Sequence, residues 1–317
     1  MIKIAIDAGH GYTKALAATG QRVMFPSLIA AVAPGMDLVD LGQWDRKSQR
    51  GRVLLDNHEF VYGEDARRLA TPLWSREKAA DPDAARFILI AAGLLGATGP
   101  IQIAVGLPLS WFAAQRKEFK AALMGYGAQV AFPEQGRGSQ RIWIDAVTVL
   151  PQGVAAAVST LGTALSTVPE SWIVLDIGYR TSDFCWIDRT ATGELDFERD
   201  RAGTLEIGYH DVVDQARQEM ERTYHLPFRE AELESAPSVI VRGHMVDVSA
   251  LRHMATRAVA HRMAQELQIR LGDGLERVTG VLLVGGAAEQ FSDRFPWPTQ
   301  VANDSQWANA IGYLAVL

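Results

Sequence analysis

Ile4-Ala5-Ile6-Asp7-Ala8-Gly9-His10-Gly11-Tyr12-Thr13-Lys14 stands near the start of this chain. Ile173-Val174-Leu175-Asp176-Ile177-Gly178-Tyr179-Arg180-Thr181-Ser182-Asp183 repeats its pattern past the middle. Each is an apolar run closed by Asp-x-Gly and followed by a turn that carries a Thr. The first run is too short for anything but a strand. Asp closes the strand, Gly permits a tight reversal, and Thr or Ser heads the returning strand. Two such hairpins far apart in one chain point to a duplicated fold that grips a nucleotide between its halves.

Outward from the first hairpin, Gln21–Met24 reads as a third strand and Phe25-Pro26-Ser27 as a breaker. Residues 34–80 are polar and weakly patterned, a small insertion with a hairpin around Asp56-Asn57 and a short helix over Glu64–Thr71. Ala84–Leu95 and Trp111–Met124 read as helices flanking a buried strand at Ile101–Val105. Gln129–Phe132 and Arg141–Val149 pair as strands, and Pro151 opens a small-residue helix over Gln152–Thr160, with proline at its first position. Beyond the second hairpin, Leu195–Glu198 continues the sheet, and Ala202-Gly203-Thr204 leads into a helix from Ile207 to about Tyr224. A strand near Val239–Val241 and an amphipathic helix over Ala250–Leu271 follow. Gly280–Val284 is a buried strand ended by Gly285-Gly286, and Ala308–Val316 closes the chain as a helix.

The 317 residues suffice for two domains with real cores. Apolar residues at 48% and charged residues at 21% are ordinary for a globular protein, and a net charge of −6 argues against direct nucleic-acid binding. The single cysteine, Cys185, excludes an intramolecular disulfide and reads as a buried, inert thiol in a reducing, cytoplasmic setting. The first apolar run is broken by Asp7, so no signal peptide is read there. The longest uncharged stretch, Phe87–Gln115, is punctuated by Gly93, Gly96, Gly99, Pro100, Gly106 and Pro108, which reads as helix, turn and strand rather than a membrane span.

A triphosphate chain with Mg²⁺ needs backbone N–H groups and small hydroxyls around the phosphates, carboxylates for the metal, and a group that orients the attacking water. Gly9, Gly11 and Gly178 let the backbone come close, Thr13 and Thr181 offer hydroxyls, and Lys14 offers a compact charge. Asp7 and Asp176, at strand ends, are the expected metal carboxylates, acting through water. Val281-Leu282-Leu283-Val284-Gly285-Gly286-Ala287-Ala288 is a buried strand whose glycines let a flat ring or ribose lie against the backbone. Gln152 is the expected water-orienting residue. Taken singly, each Asp-x-Gly is an ordinary turn; the force lies in three motifs in this order. No P-loop, H-E-x-x-H or G-x-S-x-G motif is present.

These motifs resemble the actin / sugar kinase / heat-shock chaperone ATPase superfamily: phosphate loop 1 (Asp7–Lys14), connecting helix (Pro151–Ala157), phosphate loop 2 (Asp176–Asp183) and adenosine loop (Val284–Ala288). Within it the chain is most similar to prokaryotic actin-like proteins of the ParM/StbA type. Val105-Gly106-Leu107-Pro108-Leu109 before an aromatic helix and the tail Trp307-Ala308-Asn309-Ala310-Ile311-Gly312-Tyr313-Leu314 extend that resemblance. It implies an α/β actin-like fold of two related domains, each with a mixed five-stranded sheet flanked by helices, with a nucleotide cleft between them. Domain I would span 1–157 with the insertion at about 30–80, completed by a C-terminal helix at 303–317. Domain II would span 158–302 with an insertion at about 210–275. The implied activity is hydrolysis of ATP, or GTP, to the diphosphate, coupled to filament assembly, with Asp7, Gln152 and Asp176 catalytic. Nucleotide contacts would come from Asp7, Gly9, Gly11, Tyr12, Thr13, Lys14, Asp176, Gly178, Thr181, Gly203, Gly285, Gly286 and Ala287. Plasmid or DNA segregation through a DNA-bound adaptor is the implied role. A non-polymerising regulatory ATPase is the alternative, and a small-molecule kinase a weaker one, because a kinase needs an acidic base for its substrate hydroxyl and neutral Gln152 stands at the connecting helix instead, where many ParM-like proteins carry Glu.

Overall fold

In the computed structural model, the opening motif forms β1 (Ile2–Ala8) and β2 (Tyr12–Ala17), joined antiparallel with Asp7 opposite Lys14 and Ala8 opposite Thr13. The structure describes residues 1–32, 51–70, 75, 77–162, 168–234 and 236–317. Parts of the expected insertion, and the end of the helix expected over Glu64–Thr71, lie outside the described residues. The chain divides into two units: Met1–Leu107, Trp111–Pro151 and Ala310–Leu317 form one, and Pro108–Ser110 with Gln152–Asn309 form the other.

In unit 1 the hairpin is followed by β3 (Arg22–Pro26), β4 (Ile29–Ala31), β5 (Arg52–Leu55), β6 (His58–Tyr62), α1 (Pro82–Leu94), β7 (Gly99–Leu107), α2 (Leu109–Leu123), β8 (Gly127–Phe132) and β9 (Arg137–Pro151). β3 runs through Pro26, where a breaker was expected, and Gly63–Arg68 is a 3-10 helix. The sheet has nine strands rather than five, in the order β3-β2-β1-β7-β9-β8-β5-β6-β4. Its first five are the expected mixed sheet, with β1–β7 and β7–β9 parallel. The extension follows from the length of β9. From Ile142 onward β9 pairs with β7, and its earlier residues pair antiparallel with β8, which hands the sheet on to the β5–β6 hairpin. α1 covers this sheet with Ile88, Leu89 and Ile90 fully buried, and Asp81 caps its first turn by accepting from Asp83 N–H.

Unit 2 contains α3 (Val154–Leu161), β10 (Glu170–Ile177), β11 (Ser182–Arg189), β12 (Leu195–Leu205), α4 (Tyr209–Tyr224), α5 (Glu230–Glu234), β13 (Ser238–Val241), β14 (His244–Asp247), α6 (Ser249–Leu271), β15 (Gly280–Val284) and β16 (Thr299–Val301). α7 (Ala308–Leu314) starts in unit 2 and continues in unit 1. The five-stranded sheet β12-β11-β10-β15-β16 repeats the pairing of β3-β2-β1-β7-β9, two antiparallel steps and then two parallel ones. α3, expected at the end of domain I, packs in unit 2, where Ala156, Ala157 and Leu161 meet Val174, Cys185 and Leu282. Cys185 is fully buried, and burial, with Asp183 and Asp176 nearby, pushes its thiol pKa up. No helix among the described residues is long and apolar enough to cross a membrane.

Candidate functional site

The β1–β2 turn is closed by Gly9, whose N–H donates to Tyr12 O at 3.2 Å; a Cβ on Gly9 would press on that same oxygen at 3.1 Å. Asp7 is 4% exposed and accepts from Lys14 Nζ at 3.1 Å, a buried cross-strand ion pair. Gly11 O accepts from Ser27 N–H, and Tyr12 OH from Arg67. Thr13 departs from its expected role. It is fully buried, and its hydroxyl lies 2.9 Å from Ser27 Oγ, which in turn donates to Gly9 O at 2.7 Å. Thr13 therefore braces the turn from inside and does not present its hydroxyl to solvent. A second lysine was not anticipated: Lys78 is buried and donates to Ala8 O at 3.2 Å. Burial pulls its pKa down, against the attraction of Asp81 and Asp7. Lys78 sits in the weakly patterned stretch and carries no local signature.

The β10–β11 turn repeats this geometry in unit 2. Gly178 N–H donates to Thr181 O at 3.0 Å, and a Cβ on Gly178 would lie 2.7 Å from that oxygen. Asp176 stands opposite Asp183 as Asp7 stands opposite Lys14. The register therefore equates Tyr12 with Thr181 and Thr13 with Ser182, so the two threonines of the motifs are not counterparts. Ser182, like Thr13, is fully buried, and it donates to Ile207 O at 2.8 Å. Where unit 1 pairs an acid with a lysine, unit 2 buries two acids side by side, which requires donors for both. Asp183 accepts from Leu109 N–H at 3.1 Å and from the Thr204 hydroxyl; Asp176 accepts from Asn309 Nδ2 at 2.5 Å. The start of α4 pins the loop tip, with Tyr209 N–H on Gly178 O and His210 N–H on Tyr179 O.

The loop after β15 lies against the end of β10. Gly285 has φ +93°, and a Cβ there would strike the Asp176 carboxylate and come within 2.6 Å of Ile177 O. Ala287 N–H donates to Ile177 O at 3.3 Å, while Gly286 is exposed. The chain continues as a single 3-10 turn, Ala288–Phe291. Gln152 also departs from expectation. Pro151 is the last residue of β9, paired with Leu107, and opens no helix. Gly153, at φ +75°, turns the chain, so α3 starts at Val154 and Gln152 stands in the turn before it. A Cβ on Gly153 would be 3.9 Å from Asp176 Cβ and 3.8 Å from Asp183 Cβ, which sets that turn beside the paired carboxylates.

Unit 2 thus gathers Gln152, Asp176, Gly178, Thr181, Gly285 and Ala287, and unit 1 gathers Asp7, Gly9, Gly11, Tyr12 and Lys14. Gly203 joins neither group. It lies inside β12 opposite Phe184, whose ring stands 3.1 Å from where its Cβ would be, so the missing side chain makes room for that ring. The helix expected from Ile207 to about Tyr224 runs from Tyr209 to Tyr224. Unit 2 also holds a cavity of about 760 Å³ between the end of β12 and α6, with Leu205, Ile207 and Ile269 as apolar lining and Arg262, Gln265 and Glu266 as polar groups. None of these residues is among the expected nucleotide contacts.

Two sequence families match the chain. The one described as "Actin like proteins N terminal domain" matches residues 5–154, and "Archaeal actin homologue MreB-like, C-terminal" matches residues 174–296. An archaeal actin homologue of Thermoplasma volcanium is 28% identical over 337 residues, covering 99% of this chain and 98% of that protein. Among solved structures, an archaeal actin homologue in complex with ADP superposes with a TM-score of 0.82 at 24% identity, over 100% of this chain and 99% of its own. The subunit of a 15-stranded ParM filament from Clostridium botulinum gives 0.84 at 21% identity, over 99% and 98%. At these identities the likeness to the solved structures is one of fold.

Proposed function

The chain belongs to the actin-like superfamily, and we propose that it binds and hydrolyses a nucleoside triphosphate, ATP or GTP, and assembles with copies of itself in step with that cycle. One observation carries this reading. The same hairpin, with the same Gly N–H to carbonyl closure and an Asp at the same register position, recurs in both units. A tight glycine turn after a buried strand presents backbone amides to anions, and each unit carries one such turn. The ADP-bound archaeal relative supports the same ligand class.

In this reading Lys14 meets a phosphate oxygen as a point charge, and Gln152 orients water without acting as a strong base. Among the described residues no three His, Cys, Asp or Glu side chains converge on a metal-binding position. Mg²⁺ with a nucleotide keeps several waters and is held mainly by phosphate oxygens with one or two carboxylates. Asp7 and Asp176 would hold its waters, and the ion would supply charge neutralisation on the phosphates. The cavity beside α6 is large enough for a base and ribose, and its lining sets Leu205, Ile207 and Ile269 among the charged and amide groups of Glu206, Arg262, Gln265, Glu266, Gln268 and Arg270. Cargo is proposed to be DNA held by a separate adaptor, because a net charge of −6 suits this chain poorly to gripping a phosphate backbone itself.

The test is phosphate release, sedimentation and electron microscopy of the purified protein with Mg-ATP and Mg-GTP. Turnover with nucleotide-dependent filaments is expected. Turnover by a protein that stays monomeric at high concentration would remove assembly and leave a nucleotide switch. Absence of both binding and turnover would remove the proposal.

A further inference from the structure

Asn309, the second residue of α7, is 5% exposed and makes two buried hydrogen bonds within unit 2. Its Nδ2 donates to Asp176 Oδ2 at 2.5 Å, and its Oδ1 accepts from Gly153 N–H at 3.0 Å. The partners fix which way the amide points, because a carboxylate only accepts and a backbone N–H only donates. One neutral side chain therefore ties the acid at the end of β10 to the turn that carries Gln152. Asp176 Oδ1 packs against Gly285, so both oxygens of this carboxylate are located by their surroundings. Few side chains could replace Asn309. An aspartate would set a third carboxylate against the buried Asp176–Asp183 pair, and an alanine would leave a buried backbone N–H without its acceptor.

We propose that Asn309 is a positioning residue for nucleotide hydrolysis: it holds the Asp176 carboxylate and the Gln152 turn in one fixed geometry. The C-terminal helix thereby becomes part of the reaction site, without Asn309 itself touching nucleotide. This rests on the hydrolysis reading given above. Gln152 and Asp176 act on the same event, water attack on the terminal phosphate, and their separation matters at the scale of an ångström. A side chain bonded to Asp176 and to the residue after Gln152 is placed to set that separation.

The experiment compares the full-length wild type with Asn309→Ala, Asn309→Ser, Asn309→Asp and the swap Asp176→Asn/Asn309→Asp. It measures melting temperature, fluorescent-nucleotide binding, and kcat and KM for phosphate release. Asn309→Ala is expected to lower kcat by about 10–100-fold, the usual range for groups that orient a reacting carboxylate, with little change in KM or nucleotide affinity. A bond that served stability alone would lower the melting temperature and leave kcat intact well below it. The swap restores a donor at 176 and acceptors at 309, so it is expected to recover most of the melting temperature lost in Asn309→Asp while turnover stays low. Asn309→Ser, which leaves Asp176 intact and keeps an acceptor for Gly153 N–H, keeps the test decisive if Asn309→Ala fails to fold, and its kcat is expected to fall likewise. A folded Asn309→Ala or Asn309→Ser with wild-type kcat overturns the inference and leaves the hydrolysis reading standing. Wild-type protein that neither binds nor hydrolyses ATP or GTP overturns both.

Discussion

Gly285 concentrates the chemistry of the site in one residue. Its φ of +93° is a conformation that side-chain-bearing residues avoid, and the space a Cβ would need is taken by the Asp176 carboxylate and Ile177 O. Gly285→Ala is expected to cost about 1–3 kcal/mol from the backbone alone, and also to push Asp176 off Asn309. Denaturant unfolding measured alongside nucleotide turnover checks both effects. A stable variant with normal turnover would show that Asp176 tolerates displacement. The sequence made Gly285 legible as the end of a buried strand before a loop. It did not show that the glycine faces a carboxylate about a hundred residues earlier in the chain. Thr13 teaches the converse. A threonine in a glycine-rich turn reads as a ligand hydroxyl, yet the pleat turns it inward onto Ser27. Alternation along β2 settles its direction, and that alternation is fixed by which face of the strand meets the core.

At the scale of elements, periodicity located most helices and strands to within a few residues, because amphipathic period and turn residues are local properties. Boundaries moved where a partner element intervened. Pro151 looked like a helix start and is a strand end, because β9 finds β7 as a parallel neighbour up to that residue. Gly203, read as leading into a helix, lies in β12, because β11 supplies Phe184 opposite it. Local bonds at element ends are testable alone. Asp247, just ahead of α6, accepts from Ser249 N–H at 2.8 Å and from its hydroxyl at 2.5 Å. The hydroxyl bond first, and the backbone bond second, hold its pKa below the ordinary carboxylate value. A depressed folded-state pKa contributes stability that is present above the unfolded pKa and lost as pH falls through the folded one. The melting temperature of Asp247→Ala is therefore expected to fall below wild type at neutral pH, with the gap closing below about pH 4. A gap that stays constant with pH would mean the carboxylate charge plays no part.

At the scale of the whole molecule, linkage joins the sites to stability. A ligand present at about 100 times its Kd stabilises the native state by about 2.7 kcal/mol. Mg-ATP or Mg-GTP is therefore expected to raise the melting temperature, and chelation of Mg²⁺ to reverse most of that rise. Gln152→Ala is expected to keep this nucleotide-dependent rise but to slow phosphate release by at least about tenfold, on the order of 1.4 kcal/mol of barrier. Its filaments should persist longer after nucleotide is added, as read by light scattering. Unchanged phosphate release would exclude Gln152 from water orientation.

The sequence by itself determined the duplicated α/β plan and the two Asp-Gly turns, because strand, reversal and returning strand are encoded within a dozen consecutive residues. It also placed Gly285-Gly286 after a buried strand. Only the tertiary structure decided that unit 1 carries a nine-stranded sheet, since β9 can extend the sheet only once β8 and β5 dock beside it. Only it equated Thr181 with Tyr12, and only it brought Lys78 to Ala8 and Asn309 to Asp176. Those contacts join residues 70 and 133 positions apart. No local pattern can announce such a pairing, because each partner's own stretch satisfies its backbone and its period without reference to the other. The lysine and the asparagine acquire their meaning only where distant strand ends and a helix start converge.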